Sequence, residues 1–262
     1  MDKRTILDKA AATEEERLLL SRVWDKYDQC RARNIPVHTG FLSPHEQAAA
    51  ENLLHLLAVG EGEAVFWGGY EQAQRKQLHF LPDWASGPDE ETLCALRCRY
   101  YQGDSLTHRD FLGSLMGLGV TREKVGDILP AGSSADVIVG SSLRDFLLAE
   151  WTAAGRVALK VEEISLSDLS VPQQQTVLRR DTVASLRLDS VLAVGFSLSR
   201  SRAAELVRAG RAEVNWQPCD KPDRVVQQGD VLTVRGIGKC TVDEVGGLSK
   251  KGRTGVTVKR YI

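Results

Sequence analysis

Apolar residues recur at helical spacing early in the chain, where Leu19, Val23, Tyr27 and Cys30 lie three or four apart behind Thr13 and Glu16, a pair at capping-box spacing. Ser43, Pro44 and Glu46 supply a cap, a first-turn proline and a capping carboxylate for a second helix through about Ala58. The first sixty residues therefore read as helix, loop, helix. A strand-like AVFW (Ala64 to Trp67), a Gly68-Gly69 turn, a short polar helix and a strand-like QLHFLP follow. The turn-rich DWASGPDEE closes this unit, predicting a helical, mixed α/β first domain over 1–85.

The middle of the chain switches period. Leu93 to Tyr101 alternates as a strand, with Leu96, Cys98 and Tyr100 on one face and Arg97, Arg99 and Tyr101 on the other. Thr107 with Asp110 caps a helix through FLGSLMGLG, and KVGDILP and ADVIVG are two strands about the Ala131 to Ser134 turn. Ser142 with Asp145 opens a helix that stops at Gly155, and VALKVEEI is a last strand. Strand, helix, strand, strand, helix, strand is the ferredoxin-like order of many RNA-recognition domains, expected here over 86–168. ADVIVG carries no aromatic for base stacking, which points to a positioning or protein-contact role for this domain.

The polar stretch SDLSVPQQQTVLRRD reads as a linker to the last domain, 181–262. There Leu186 to Val194 is a short helix, Ser199 caps a second that Gly210 ends, and short β pieces follow. Two helices on a small twisted sheet result. The whole chain is thus of the α+β class.

Charge changes the picture of this last domain. The net charge of the 262 residues is −1, yet Asp181 to Ile262 carries 14 Lys and Arg against 9 Asp and Glu, a net of +5 that leaves the rest at −6. A polyanionic partner is implied for the basic end. On its second helix Ala203, Leu206 and Val207 share one arc, while Ser201, Arg202, Glu205 and Arg208 take the opposite one. A guanidinium donates paired hydrogen bonds to phosphate oxygens, and a capped helix start adds free backbone amides, so Ser199 to Arg202 forms a phosphate cradle.

Other candidate chemistry reads as structural. Cys30, Cys94, Cys98, Cys219 and Cys240 are odd in number and irregularly spaced, as reduced structural thiols rather than zinc ligands. His108-Arg109-Asp110 sits at a helix start, where Asp110 is used in capping and no nucleophile is near. Val137 to Gly140 before a helix resembles a phosphate-binding turn but lacks a glycine fingerprint, and Gly68-Gly69 reads as a plain turn. No metal, cofactor or small-molecule substrate is called for. Met1 to Ala10 shows no apolar block and no stretch approaches a membrane span, so the expected address is the cytoplasm, or the plastid stroma for a plant protein.

The run from Arg187 to Val234 closely resembles the RNA-binding module named after ribosomal small-subunit protein S-four, the alpha-L motif. The matching residues are Arg187-Leu188-Asp189, Ser199-Arg200-Ser201, Ala203, Leu206, Gly210, Val214-Asn215, Lys221-Pro222 and Gly229-Asp230. That resemblance implies an RNA-gripping face of Arg187, Ser199, Arg200, Ser201, Arg202, Arg208, Asn215 and Lys221. The basic tail adds Lys250, Lys251 and Arg253 as phosphate contacts. Trp216 departs from the pattern, which usually has glycine after the asparagine.

Upstream, FLSPHEQ, FWGGYEQAQRK and LTHRDFLGSLMGLGVTREKVGDI resemble the YlmH family, also labelled photosystem II S-four domain protein. The likeness covers essentially the whole chain. It implies a non-enzymatic protein that grips rRNA or tRNA on the large ribosomal subunit in rescue or quality control of stalled translation. The same module is appended to pseudouridine synthases and methyltransferases, so an RNA-modifying enzyme is one alternative. An assembly factor for photosystem II, suggested by the family label, is the other.

Overall fold

Capping residues set where the helices begin in the computed structural model, which describes residues 2–172, 175–248 and 252–262. Asp2 accepts from the Thr5 amide at 2.8 Å to start α1 (Lys3–Ala10), a helix the sequence pattern did not announce. Thr13 accepts from the Glu16 amide at 3.2 Å at the head of α2 (Glu14–Arg33). After β1 (Val37–Leu42), the Ser43 and Glu46 box closes in both directions to open α3 (Pro44–Leu56). β2 (Ala64–Trp67) and β3 (Lys76–Phe80) complete an antiparallel sheet ordered β1-β3-β2. Leu20, Val23 and Cys30 of α2, Leu53 of α3, and Leu78 and Phe80 of β3 share one core.

Two details differ from the pattern. The expected loop holds β1, whose alternation is broken by an irregular register between His38 and Phe41. The expected polar helix before β3 stays a run of turns, because the amides of Gln74 and Arg75 donate to the Asp127 carboxylate at 2.6 and 3.0 Å instead of to a helical ladder.

β4 (Leu93–Arg99), α4 (His108–Gly117), β5 (Val125–Ala131), β6 (Ser134–Gly140) and α5 (Arg144–Glu150) come next. The small hairpin β7 (Ala153–Ala154) and β8 (Val157–Ala158) leads to β9 (Lys160–Ile164). The sheet order β5-β6-β4-β9 with antiparallel neighbours is the ferredoxin-like arrangement the element order predicted. Ser142 is not the cap of α5; it lies in a single tight turn, Ser141 to Leu143, and α5 ends at Trp151 rather than at Gly155. Asp110 accepts from the Thr107 amide and hydroxyl, both at 2.7 Å, so its carboxylate caps α4.

α4 and α5 cover one face of this sheet, with Phe111, Leu115, Leu147 and Trp151 over Leu96, Cys98, Val137 and Val139. The opposite face is the one that bases stack on in many RNA-recognition domains. Here it is occupied. Phe41, Trp67, Tyr70 and Leu169 pack with Leu93 and Ile138, and a Cβ on Gly126 would lie 2.7 Å from the Phe41 ring. Asp127 also takes the Tyr70 hydroxyl at 2.7 Å. Buried Asp136 holds Arg97 at 2.7 and 2.8 Å and the Ser170 amide at 2.7 Å. The residues before and after the sheet are thereby tied into one compact unit, Met1–Pro172.

The second unit, Gln173–Ile262, opens on β10 (Thr176–Val183), where a polar linker was expected. α6 (Leu188–Phe196), α7 (Arg200–Arg208), β11 (Ala212–Val214), β12 (Gln217–Cys219), β13 (Val231–Val234), β14 (Gly238–Leu248) and β15 (Thr254–Tyr261) follow. β10 has only one neighbour, β15, in a six-stranded antiparallel sheet ordered β10-β15-β14-β13-β11-β12. An edge strand with solvent on most sides has little need of apolar residues, and so TVLRRDTV shows no strand period. The two helices lie on one sheet face over Leu232, Val234, Val242, Val256 and Val258. A Cβ on Gly195 would sit 2.9 Å from Val258, so a side chain there would lift α6 off the sheet.

His79 on β3 is 2% exposed, stacks on His38 at 5.4 Å, and has its Nε2 buried without a hydrogen-bond partner. Burial, aided by His38, pushes its pKa from 6.5 down to about 4. Between those values the unfolded chain binds the proton and the native one does not. Stability of the first unit therefore falls as pH drops from 6.5 towards 4, by about 3 kcal/mol for a shift of this size. His79→Phe is expected to flatten that slope while keeping the core filled, as read from urea unfolding at pH 7 and pH 5; an unchanged slope refutes it. Asn215 and Trp216, at φ 50° and 61°, form the two-residue turn between β11 and β12. Both are left-handed, as a type I′ hairpin requires. Trp216→Gly is expected to be more stable than Trp216→Ala by about 1 kcal/mol in denaturant unfolding, because only the alanine retains the backbone strain.

Candidate nucleic-acid interface

The basic face is built on one buried carboxylate. Asp189, in the first turn of α6, has a side chain 5% exposed and accepts from Arg187 Nε and Nη2 at 3.2 and 3.1 Å. The Ser190 hydroxyl donates to it at 3.1 Å, and Arg200 Nε of α7 reaches it at 3.3 Å. Burial alone would raise the Asp189 pKa; Arg187, Ser190 and Arg200 outweigh it, so the carboxylate is held below its usual range and stays charged. Two guanidiniums from two segments are thus fixed side by side by a single negative charge. Neither spends all of its five donors.

Ser199 caps α7, accepting from the Arg202 amide at 3.2 Å, and its hydroxyl lies 3.1 Å from that of Ser201. Ala203, Leu206 and Val207 point into the core, as the helical arc predicted, and leave Arg202 and Arg208 outside. Arg202 meets Glu205 at 3.0 Å with both side chains more than half exposed. A pair that open to water contributes little and is readily exchanged for a phosphate. Arg208 is exposed and has no ion-pair partner among the described residues.

The loop after β12 comes to the same end of α6. The Leu188 and Asp189 amides donate to the carbonyls of Arg224 and Pro222 at 2.8 and 3.0 Å, and Arg187 bridges to Val225. Exposed Lys221 and Arg224 are thereby brought beside the Asp189 cluster. Arg224 is a cation that the sequence reading passed over; only the backbone pairing across the loop reveals it.

Asn215 is spent inside the protein. Its amide donates to Asp230 at 2.8 Å and its oxygen accepts from the Val231 amide at 2.8 Å, while Asp230 takes the Gln227 amide at 2.8 Å. What this residue presents is the shape of its turn. Arg253, 71 residues away in the chain, donates to the Thr182 hydroxyl at 3.0 Å and to the Thr182 carbonyl, across the β10 and β15 pair. Lys250 and Lys251 lie outside the described residues. In the first unit, Arg97 is bound to Asp136 and Arg99 meets Glu162 at 2.7 Å, whereas Tyr101 is exposed.

The cysteines are all buried and unpaired, and burial raises the Cys94 and Cys240 pKa values to about 11 and about 12, so these thiols are protonated and unreactive at neutral pH. No described helix is long and apolar enough to cross a membrane.

Three family models match the chain: "YlmH, N-terminal" over residues 15–83, "Putative RNA-binding domain in YlmH" over 99–168, and "S4 domain" over 186–232. A Bacillus subtilis protein, "Ribosome-associated protein quality control protein P2", is 38% identical over 225 residues, covering 85% of this chain and 86% of its own. "Small ribosomal subunit protein uS4" of Solibacter usitatus is 43% identical over 54 residues, 20% of this chain and 26% of its own. Among solved structures, "Cell division protein ylmH from Streptococcus pneumoniae" superposes with a TM-score of 0.52 at 15% identity over 62% of this chain and 98% of that one, a likeness of fold. The successive family matches along the chain and the extended identity to the Bacillus protein lead to one conclusion: this chain belongs to the YlmH family.

Proposed function

We propose that this protein binds RNA without chemically altering it, and that it does so in ribosome-associated quality control, gripping rRNA or tRNA on the large subunit when translation stalls. The single observation that carries the reading is the cluster at the joint of α6 and α7. There one buried carboxylate organises Arg187 and Arg200, and the capped start of α7 presents Ser199, Ser201 and Arg202 beside them. Rigid guanidiniums suit a folded polynucleotide, because phosphates at fixed spacing are met without further loss of side-chain freedom.

The family match and the name of the Bacillus relative support the ribosomal setting. Lys221, Arg224 and Arg208 extend the positive surface, and the Asn215-Trp216 turn contributes shape. Lys250, Lys251 and Arg253 belong to the proposal as a flanking basic segment. The first unit serves in this reading to position the module, since the sheet face that would otherwise meet bases is covered by its own chain.

Arg200→Ala/Arg202→Ala is expected to weaken binding to deacylated tRNA or to large subunits at least about tenfold and to lower the salt slope by about two. The thermal unfolding temperature drops slightly, because Asp189 loses one of its donors, but the variant stays folded because Arg187 and Ser190 still donate to that carboxylate. Arg208→Ala, which breaks no internal pair, loses about one unit of slope with native stability. Filter binding across a salt series measures both; a folded double variant with undiminished affinity removes the proposal. Absence of modified nucleotides in bound rRNA after incubation with methyl donor, or in tritium release from labelled uridine, separates it from the enzymatic alternative.

A further inference from the structure

The first unit contains a cavity of about 470 Å³ that the proposed function leaves unused. It opens between α2, β1 and the turn after β6, within the range typical of small-ligand sites. Its walls divide by chemistry. Leu19, Val23, Phe41 and Leu42 give it an apolar side, whereas Arg22 and Lys26, one helical turn apart on α2, and Lys124 stand as cations on its lining. None of these three has an ion-pair partner among the described residues.

A buried polar group faces the same space. Gln77 on β3 is 3% exposed and lines the cavity; its side-chain amide meets the Thr92 hydroxyl at 3.1 Å, and that hydroxyl also donates to the Asp89 carbonyl at 2.7 Å. An amide on the wall of a cavity can exchange water for the acceptor edge of a ligand and so fix its orientation. Ser141 and Ser142 add hydroxyls from the segment that follows Val137 to Gly140, the turn singled out in the sequence for its likeness to a phosphate loop.

Two carboxylates also line the cavity, Glu46 and Glu123. Glu46 is engaged by the Ser43 amide at 2.6 Å as the cap of α3. Against them stand two more cations beside the wall. Arg75 donates to the Phe41 carbonyl at 2.8 Å and the Arg122 carbonyl at 3.3 Å, and Arg122 donates to the Val125 carbonyl at 2.7 Å. Both bond to backbone carbonyls rather than to carboxylates, and burial depresses both, Arg75 to about 10. Asp127 and Glu46 partly balance these two, so the charge left for an anion is that of Arg22, Lys26 and Lys124 on the lining.

We infer that this cleft binds a nucleotide, with the base against the Leu19, Val23 and Phe41 wall, a base acceptor on the Gln77 amide, and the phosphate held by Arg22, Lys26 and Lys124. A flat ring with an acceptor edge and an attached dianion matches all three features of the lining, whereas a bare phosphate uses only the cations and a nucleoside only the wall and the amide. The nucleotide can come free or as the phosphorylated end of an RNA chain. This site is separate from the basic face of the second unit and stands or falls independently of the function proposed there.

Isothermal titration of the full chain with adenosine or uridine 5′-monophosphate tests it. Saturable binding of at least one nucleotide is expected, with the matching nucleoside and inorganic phosphate each at least about tenfold weaker. Arg22→Ala/Lys26→Ala, on the outside of α2, is expected to fold normally and to lose nucleotide binding about tenfold or more. Arg200→Ala/Arg202→Ala is expected to leave it intact. A 5′-phosphorylated trinucleotide that binds tighter than the mononucleotide assigns the cleft to RNA ends, and equal binding assigns it to free nucleotide. No binding of either nucleotide, or binding that survives the α2 substitutions or falls with the α7 ones, overturns the inference.

Discussion

Asp189 is the constraint on which the basic face depends. A carboxylate 5% exposed at the head of a helix would be costly alone, and it persists because Arg187, Arg200 and Ser190 all donate to it. The same contacts that stabilise the charge also locate it: one residue of the N-terminal approach to α6, one of α6 and one of α7 are tied at a point. Long side chains normally hold much of their freedom until a ligand arrives. Here much of that freedom is already removed, at the cost of a single neutralised cation. The outer arginines keep theirs: Arg202 meets only the exposed Glu205, and Arg208 stands in solvent.

The first unit solves a different problem with the same device. Asp127 and Asp136 are acidic residues on the sheet face of a ferredoxin-like domain, each nearly buried, and each binds backbone amides from segments outside the domain. Their charges bind the chain before and after the sheet, while Phe41, Trp67 and Tyr70 exclude water from the remainder. A face that could have read bases becomes an internal joint. The joint in turn places α2 and β1 opposite the end of β6, and the cleft lined by Arg22, Lys26 and Gln77 exists only because of that packing.

Trp216 shows how a family pattern and a local cost can part. The turn needs two left-handed residues, Asn215 tolerates this and is locked by Asp230 and Val231, but tryptophan carries a Cβ penalty there. The departure visible in the sequence is therefore a strained position in the structure.

Much was determined by sequence alone. Capping pairs at Thr13, Ser43, Thr107 and Ser199, the alternation of Leu93 to Tyr101, and the arc of Ala203, Leu206 and Val207 are local patterns whose physics acts over a few residues, so they survive without knowledge of the fold. The excess of cations in the last domain and their outward arc on α7 were legible for the same reason. Tertiary structure decided the rest: β1 and β10 are strands because partners across the sheet complete their hydrogen bonds, though Gly40 interrupts one and polar residues fill the other. It alone set Asn215 inward, brought Arg224 beside Asp189, closed the sheet face of the middle domain and opened the cleft. Each of these rests on residues far apart in sequence, and a contact between distant residues leaves no period in either segment to read.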